Sequence, residues 1–167
     1  MEQPRTRNTA VAIVVAAKTR RILAVHFAFA LLALAFAVLA TAPAFAASGQ
    51  LTDQQAYTLQ QEDKVVVVDV RTQSEWQQTG IAKGAVPISM GDPAFLAKFK
   101  QLRAEEPGRE IAFVCASGHR SGIVQSELVK RGYDGVFTIV GGMTGNGRQQ
   151  GWIADGLPTQ SWSGPGN

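Results

Sequence analysis

From residue 51 onward, short apolar runs alternate with segments whose apolar residues recur at helical spacing. The runs at 65–70, 111–114 and 136–140 are almost wholly apolar, which is typical of strands buried on both faces of a parallel sheet. Strands that alternate with helices predict an open α/β sheet. In such sheets, ligands bind outside the carboxyl ends of the strands.

Three predicted helices accompany these strands. The first runs from a capping box at Thr52 and Gln55 to about residue 61. The second starts at Asp92-Pro93, a cap residue followed by proline, and the third covers 121–131 and closes at Gly132. The side chains expected to face the core are Phe95, Leu96, Phe99 and Leu102 in the second helix, and Ile123, Val124 and Leu128 in the third.

The N-terminal segment has the pattern of an export signal. A basic stretch at 18–21 precedes a long apolar run, and Ala44-Phe45-Ala46 then forms a small-x-small cleavage site. We predict a signal peptide over 1–46 that is cleaved after about Ala46 and directs the protein to the periplasm. The alternative is an uncleaved membrane anchor formed by residues 22–42, because the apolar run is long enough to span a bilayer.

Cleavage would leave a single domain over 47–167, with a C-terminal tail predicted to be disordered from about residue 161. The whole chain has 16 basic and 13 acidic residues, but five basic residues and one acid precede residue 47. The remaining 11 basic and 12 acidic residues nearly balance. We therefore expect no nucleic-acid partner, and a membrane partner only through an uncleaved N-terminal segment.

Cys115 is the only cysteine of the chain, and it directly follows the predicted strand 111–114. One interpretation is a small buried packing residue. The other is a nucleophile, because a small-residue loop and a helix start would turn their N–H groups toward an anion, and such surroundings favour the reactive thiolate. An unpaired thiol in an oxidising compartment is open to oxidation, which favours the reactive role. The full string reads Cys115-Ala116-Ser117-Gly118-His119-Arg120-Ser121.

With these residues in view, the chain from about Leu51 to Pro158 resembles the rhodanese-like sulfurtransferases. Three pieces in a fixed order carry the resemblance: Val68-Asp69-Val70-Arg71 with Glu75-Trp76, then Thr79-Gly80-Ile81-Ala82-Lys83-Gly84-Ala85, then Cys115-x-x-Gly118-x-Arg120-Ser121. The resemblance implies an α/β fold with an open, mostly parallel five-stranded sheet flanked by helices.

The resemblance also implies a reaction. Cys115 would take a sulfane sulfur from thiosulfate or a persulfide donor, hold it as a persulfide and pass it to a thiol or to cyanide. Arg71 would contact the substrate, and no cofactor or metal is expected. The expected partners are a small sulfur-containing anion and a thiol or protein sulfur acceptor. The loop that binds the substrate would consist of Ala116, Ser117, Gly118, His119, Arg120 and Ser121.

Several side chains near this loop keep two interpretations. Arg120 either binds an anionic donor or orders the loop, and His119 either tunes the thiolate or faces solvent, of which we favour solvent. Asp69 is expected to have a structural role in an ion pair or turn. Trp76 and Trp152 are expected to be packing residues.

Loop length and the missing second cysteine narrow the classes of reaction that Cys115 could perform. Related-looking phosphatases place five residues between cysteine and arginine, whereas four separate Cys115 from Arg120, so sulfur chemistry is favoured over phosphate or arsenate chemistry. A thiol oxidoreductase is disfavoured because there is no second, resolving cysteine. The runner-up is a non-catalytic or sulfur-carrier rhodanese module that binds a protein partner. The stretch from Gly141-Gly142 to Trp152 is longer than the family's usual gap and is expected to form a flexible loop at the rim of the site.

Overall fold

Seven strands and four helices follow one another along residues 48–164, the part of the chain that the computed structural model describes. In chain order they are β1 (Gly49–Leu51), α1 (Asp53–Gln61), β2 (Val65–Asp69), α2 (Gln73–Thr79), β3 (Ile81–Ala82), β4 (Val86–Pro87), α3 (Phe95–Glu105), β5 (Glu110–Val114), α4 (His119–Lys130), β6 (Val136–Ile139) and β7 (Thr159–Gln160).

Five of these strands form a single sheet in the order β1-β6-β5-β2-β4, and every neighbouring pair is parallel. The central strand β5 pairs through Ala112 with Val67 of β2 on one side and with Phe137 of β6 on the other. β3 and β7 form a separate antiparallel pair. The predicted open, parallel five-stranded sheet is confirmed.

Apolar side chains cover both faces of the sheet, which explains the continuous apolar runs. In β2, Val65 and Val67 belong to the cluster that includes Ala56 of α1, whereas Val66 and Val68 belong to the cluster on the opposite face. Full burial of one such valine stabilises the fold by about 1.5–3 kcal/mol. The second cluster contains residues of α3 and α4, namely Phe99, Leu102, Val124 and Leu128.

The helices differ from the sequence predictions in three places. α2 was not predicted, because Trp76 is its only buried residue and gives no periodic stripe, although Thr72 and Glu75 form a capping box. α3 begins later than predicted, because the Asp92 carboxylate accepts the N–H of Ala94 in a turn before the helix. α4 begins two residues earlier than predicted, at His119.

One predicted core position is wrong. Ile123 is 46% exposed, whereas Val124 and Leu128 of the same helix are buried. Neighbouring positions of a helix diverge by about 100°, so Val124 occupies the inner face and Ile123 turns toward solvent.

The predicted signal peptide and cleavage site lie outside the described residues. None of the helices within 48–164 is long and apolar enough to cross a bilayer. At the other end, residues 161–164 contain no helix or strand, but the Trp162 ring packs edge-on against Trp76 with 5.2 Å between the ring centroids. Disorder of the last three residues stays a prediction.

Candidate active site

Cys115 stands at the carboxyl end of the central strand, where a tight loop leads into α4. Gly118 begins that helix in the left-handed conformation, with φ at 87°. A Cβ at this position would overlap the carbonyl group of Val140, which follows β6. Only glycine therefore allows the loop to turn this closely against the neighbouring strand.

The loop presents a continuous row of backbone donors. From Ala116 to Ser121, six consecutive N–H groups donate to no protein acceptor among residues 48–164. The first bonded amide of the helix is that of Gly122, which donates to the Gly118 carbonyl. Unbonded N–H groups of a loop and of a helix N-terminus can bind an anion, so anion binding by this loop stays a prediction.

The loop carbonyls are tied from the opposite side by the glycine-rich segment. Met143 N–H donates to the Cys115 carbonyl at 2.7 Å, and Thr144 N–H donates to the Ala116 carbonyl at 2.9 Å. A Cβ on Gly142 would overlap both carbonyl groups. Because C=O and N–H point in opposite directions across a trans peptide, the N–H groups that follow these carbonyls point away from the segment.

A pair of hydroxyl groups lies beside the sulfur. Ser121 Oγ is 3.5 Å from Cys115 Sγ and 2.8 Å from Thr138 Oγ1, and both hydroxyl residues are buried. If Thr138 donates to Ser121, the Ser121 proton is available to the thiolate or to the Gly118 carbonyl, 3.1 Å away. Sequence reasoning missed Thr138, although a lone hydroxyl inside the apolar run of β6 was a usable signal.

Cys115 is fully buried and contacts the cluster between the sheet and the helices α3 and α4. Burial by itself fits the packing interpretation. The row of unbonded N–H groups and the Ser121 hydroxyl favour the nucleophile instead, because a packing residue needs neither.

Arg120 is held by an acid from a different helix. Its Nη1 and Nη2 atoms donate to the two carboxylate oxygens of Glu75, at 2.8 and 2.5 Å. These hydrogen bonds lower the pKa of Glu75 to about 2. The pKa of Arg120 is raised, chiefly by Glu75 and further by the nearby Cys115 and Asp69 charges. The geometry favours loop ordering over direct donor binding for Arg120.

Arg71 is buried and hydrogen-bonded on several sides, which favours a structural role, and its substrate contact stays a prediction. It is 1% exposed, and its guanidinium donates to the Asp69 carboxylate, to Thr79 Oγ1 and to the Gly80 carbonyl. Asp69 also accepts the backbone N–H of Arg71. The pair cross-links the end of β2 to α2, so Asp69 has the expected structural role and Arg71 shares it.

The remaining predicted residues are placed as follows. His119 is exposed, and Ala116 and Ser117 are half-buried at the loop rim. Trp152 is fully buried, with its Nε1–H donating to the Pro158 carbonyl at 2.8 Å. Trp76 is buried in α2, so both tryptophans are packing residues. Within 48–164, no cluster of three His, Cys, Asp or Glu side chains could hold a metal ion.

Comparison with known proteins finds relatives in sequence and in structure. An uncharacterized protein of Rickettsia prowazekii (strain Madrid E) is 34% identical over 100 residues, which cover 56% of this chain and 81% of the relative. A sulfurtransferase of Allochromatium vinosum is 29% identical over 96 residues, which cover 58% of this chain and 78% of the relative. A crystal structure of a protein from M. tuberculosis matches with a TM-score of 0.56 at 25% identity, and the match covers 68% of this chain and 98% of that one.

The family model for the rhodanese-like domain matches residues 52–147, which include the end of β5, the cysteine loop and the Glu75–Arg120 pair. The match spans more than half of the chain. The protein belongs to the rhodanese-like domain family.

Proposed function

We propose that the protein is a sulfurtransferase that carries a sulfane sulfur on Cys115. The observation that carries the proposal is the row of six N–H groups from Ala116 to Ser121, which donate to no protein acceptor within 48–164. A nucleophilic sulfur at the start of such a loop can form a covalent intermediate whose negative charge the N–H groups stabilise. The sulfurtransferase of Allochromatium vinosum, similar over 96 residues, supports this reaction class.

In the first step, the Cys115 thiolate attacks the outer sulfur of thiosulfate. The Sγ–S bond forms as the S–S bond of thiosulfate breaks, and sulfite leaves with the electron pair of that bond. The product is a persulfide with a negatively charged terminal sulfur. The loop N–H groups bind this sulfur, and the Ser121 hydroxyl, 3.5 Å from Sγ, donates to the Cys115 thiolate before the attack.

In the second step, an acceptor removes the terminal sulfur. The carbon of cyanide, or the sulfur of a thiolate, attacks it, and the Sγ–S bond breaks with its electron pair returning to Cys115. Thiocyanate or a new persulfide leaves, and the thiolate is restored. No oxidant, metal or cofactor is needed to balance either step.

Arg120 positions the loop in this proposal. Its pairing with Glu75 fixes the first turn of α4 against α2. Exchanging either residue for a neutral one would leave Cys115 in place but remove the ion pair that fixes the loop.

The test is turnover with two donors, thiosulfate and a low-molecular-weight persulfide, with cyanide as acceptor and thiocyanate as the measured product. Wild type is expected to turn over with at least one donor, and Cys115→Ser is expected to show only the uncatalysed rate. Equal thiocyanate production by both proteins would contradict the proposal. A persulfide that forms but passes only to a protein thiol would identify the sulfur-carrier alternative.

A further inference from the structure

A pocket of about 520 Å³ lies beside β4, an edge strand of the five-stranded sheet, and is called the β4 pocket below. This volume falls within the range of pockets that bind small molecules. Residues of α2, β4 and α3 form most of the wall, and the C-terminal segment adds one aromatic ring. The apolar side chains that line the pocket are Trp76, Val86, Pro87, Ile88, Leu102 and Trp162.

The β4 pocket lies at the same end of the sheet as Cys115. Asp69 at the end of β2 pairs with Pro87 of β4 on one side and with Val114 of β5 on the other. Pro87 and Val114 are therefore two strand spacings apart, about 10 Å. Ile88 and Cys115 are the next residues along the chain, and their side chains belong to the same core cluster. The pocket wall at Ile88 and the nucleophile thus share one end and one face of the sheet.

The glycine-rich segment lies on the other face of the sheet. Its Met143 belongs to the cluster opposite the one that contains Cys115. On the pocket side, Trp76 directly follows Glu75, whose carboxylate binds Arg120 of the cysteine loop. Both the sheet register and this ion pair therefore place the β4 pocket next to the side of the loop that carries the sulfur.

Two tryptophan rings form one corner of the pocket. The ring of Trp162 packs edge-on against that of Trp76, with 5.2 Å between the centroids. Trp76 is 4% exposed, and Trp162 is half-buried. Such a corner binds apolar groups by removing their surface from water. Because Trp162 lies beyond residues 52–147, this corner is not part of the family match.

The charged side chains of the pocket lie at its rim and already have partners. Asp92 binds Lys98 at 2.6 Å, and the Glu105 carboxylate accepts the Gln101 amide at 2.8 Å. Lys98 and Glu105 are exposed, so solvent and salt screen their fields. The pocket offers no unpaired cation to an oxyanion such as thiosulfate. Its inner wall suits an uncharged, apolar group.

We propose that the β4 pocket binds the apolar body of an organic thiol that accepts the sulfur from Cys115. This role rests on the sulfurtransferase function proposed above. The thiolate of the acceptor attacks the terminal sulfur of the Cys115 persulfide, and a new S–S bond forms. The bond from that sulfur to Cys115 Sγ breaks, its electron pair returns to Sγ, and an organic persulfide leaves. Thiols with an aromatic body are preferred over hydrophilic thiols of similar acidity.

The kinetic test compares benzyl thiol, 2-mercaptoethanol and cyanide as acceptors, with thiosulfate or a small persulfide as donor. In wild type, KM for benzyl thiol is expected to be about tenfold below KM for 2-mercaptoethanol. Trp162→Ala is expected to raise KM for benzyl thiol about tenfold, because one aromatic wall is lost, and to leave KM for the other two acceptors unchanged. Trp162→Phe keeps a ring, so its KM is expected to lie between those of wild type and Trp162→Ala.

The matched control is Ile153→Ala, which truncates an apolar side chain that is 42% exposed and does not line the pocket. It is expected to leave KM for all three acceptors unchanged. Equal KM values of wild type for the two thiols, or a rise in Trp162→Ala that is the same for cyanide, overturn the role of the pocket and leave the sulfurtransferase function intact.

Binding supplies a readout that does not depend on turnover. The unreactive Cys115→Ser chain is titrated with benzyl alcohol, which has the ring but no thiol, and the titration is followed by NMR. Trp162→Ala in the same chain is expected to weaken binding about tenfold, and equal binding by both chains contradicts the proposal. A wild type that takes up no sulfur contradicts the proposed function instead, and the titration then decides whether the pocket binds an apolar ligand.

Discussion

The guanidinium of Arg120 and the carboxylate of Glu75 hold each other at two points, with N–O distances of 2.8 and 2.5 Å. The pair joins the first turn of α4, which follows the cysteine loop, to the first turn of α2. The cysteine-loop piece of the family pattern contains the arginine of this pair, and the first piece contains its acid, in a helix 45 residues earlier. The shape of the cysteine loop therefore depends on a distant capping box.

The Glu75 carboxylate is expected to contribute stability that depends on pH. Its pKa is lowered to about 2 from its ordinary value of 4.5, chiefly by hydrogen bonding to Arg120. The contribution is fully present above about pH 4.5 and is lost as the pH falls toward 2. Glu75→Gln is expected to lower the free energy of unfolding at neutral pH by about 1–2 kcal/mol, with the difference from wild type shrinking below pH 4.5.

Denaturant unfolding at a series of pH values measures this difference. Glu127→Gln removes an exposed i,i+3 partner of Lys130 and serves as the control, since such surface pairs contribute little. A Glu75→Gln difference that stays constant from neutral pH down to pH 2 would show that the ion pair does not carry the effect.

Gly118 and Gly132 flank the same helix with almost the same backbone angle, φ of 87° and 85°, but only Gly118 lies against another backbone group. Gly118→Ala is expected to abolish sulfur transfer, because the new Cβ forces the loop away from Val140. Gly132→Ala, with open space around it, is expected to cost about 1–2 kcal/mol of stability and to leave kcat unchanged. Thiocyanate assays and thermal melts of both variants test this prediction. Equal activities of the two variants would contradict it.

Thr138 is expected to act through Ser121. Thr138→Val removes the hydroxyl 2.8 Å from Ser121 Oγ, so Ser121 loses the partner that orients its proton toward sulfur. We expect a fall in kcat/KM of up to about tenfold, the range of one neutral hydrogen bond. Thr138→Ser keeps the hydroxyl and is expected to have the activity of the wild type. Loss of activity in both variants, with unchanged melting temperatures, would point to side-chain packing instead.

Asp53 is expected to destabilise the fold once it ionises. It is 3% exposed, and its Oδ1 has no hydrogen-bond partner within 48–164. Burial raises its pKa to about 6 from its ordinary value of 3.8. Because the folded pKa is the higher one, stability falls as pH rises from about 4 to 6. Asp53→Asn is expected to raise the free energy of unfolding by up to about 3 kcal/mol above pH 6 and by almost nothing below pH 4. Denaturant unfolding measures the change. A gain of the same size at every pH would contradict this account.

The sheet and the cysteine loop could be predicted because their signals are local. Continuous apolar runs mark strands that are buried on both faces, and a cysteine followed by small residues and a helix start marks the loop. The short helix α2 was missed because it buries only Trp76. The partners of Arg71, Arg120 and Ser121 could not be predicted, since each contact joins elements whose spacing depends on the tertiary fold.

The most direct measurement is the intact mass of the protein after incubation with thiosulfate. The account predicts that wild type gains the mass of one sulfur atom, that cyanide removes it with release of thiocyanate, and that Cys115→Ser gains nothing. No added sulfur on the wild type with either thiosulfate or a small persulfide, or the same gain on Cys115→Ser, would contradict the claim that Cys115 carries the sulfur.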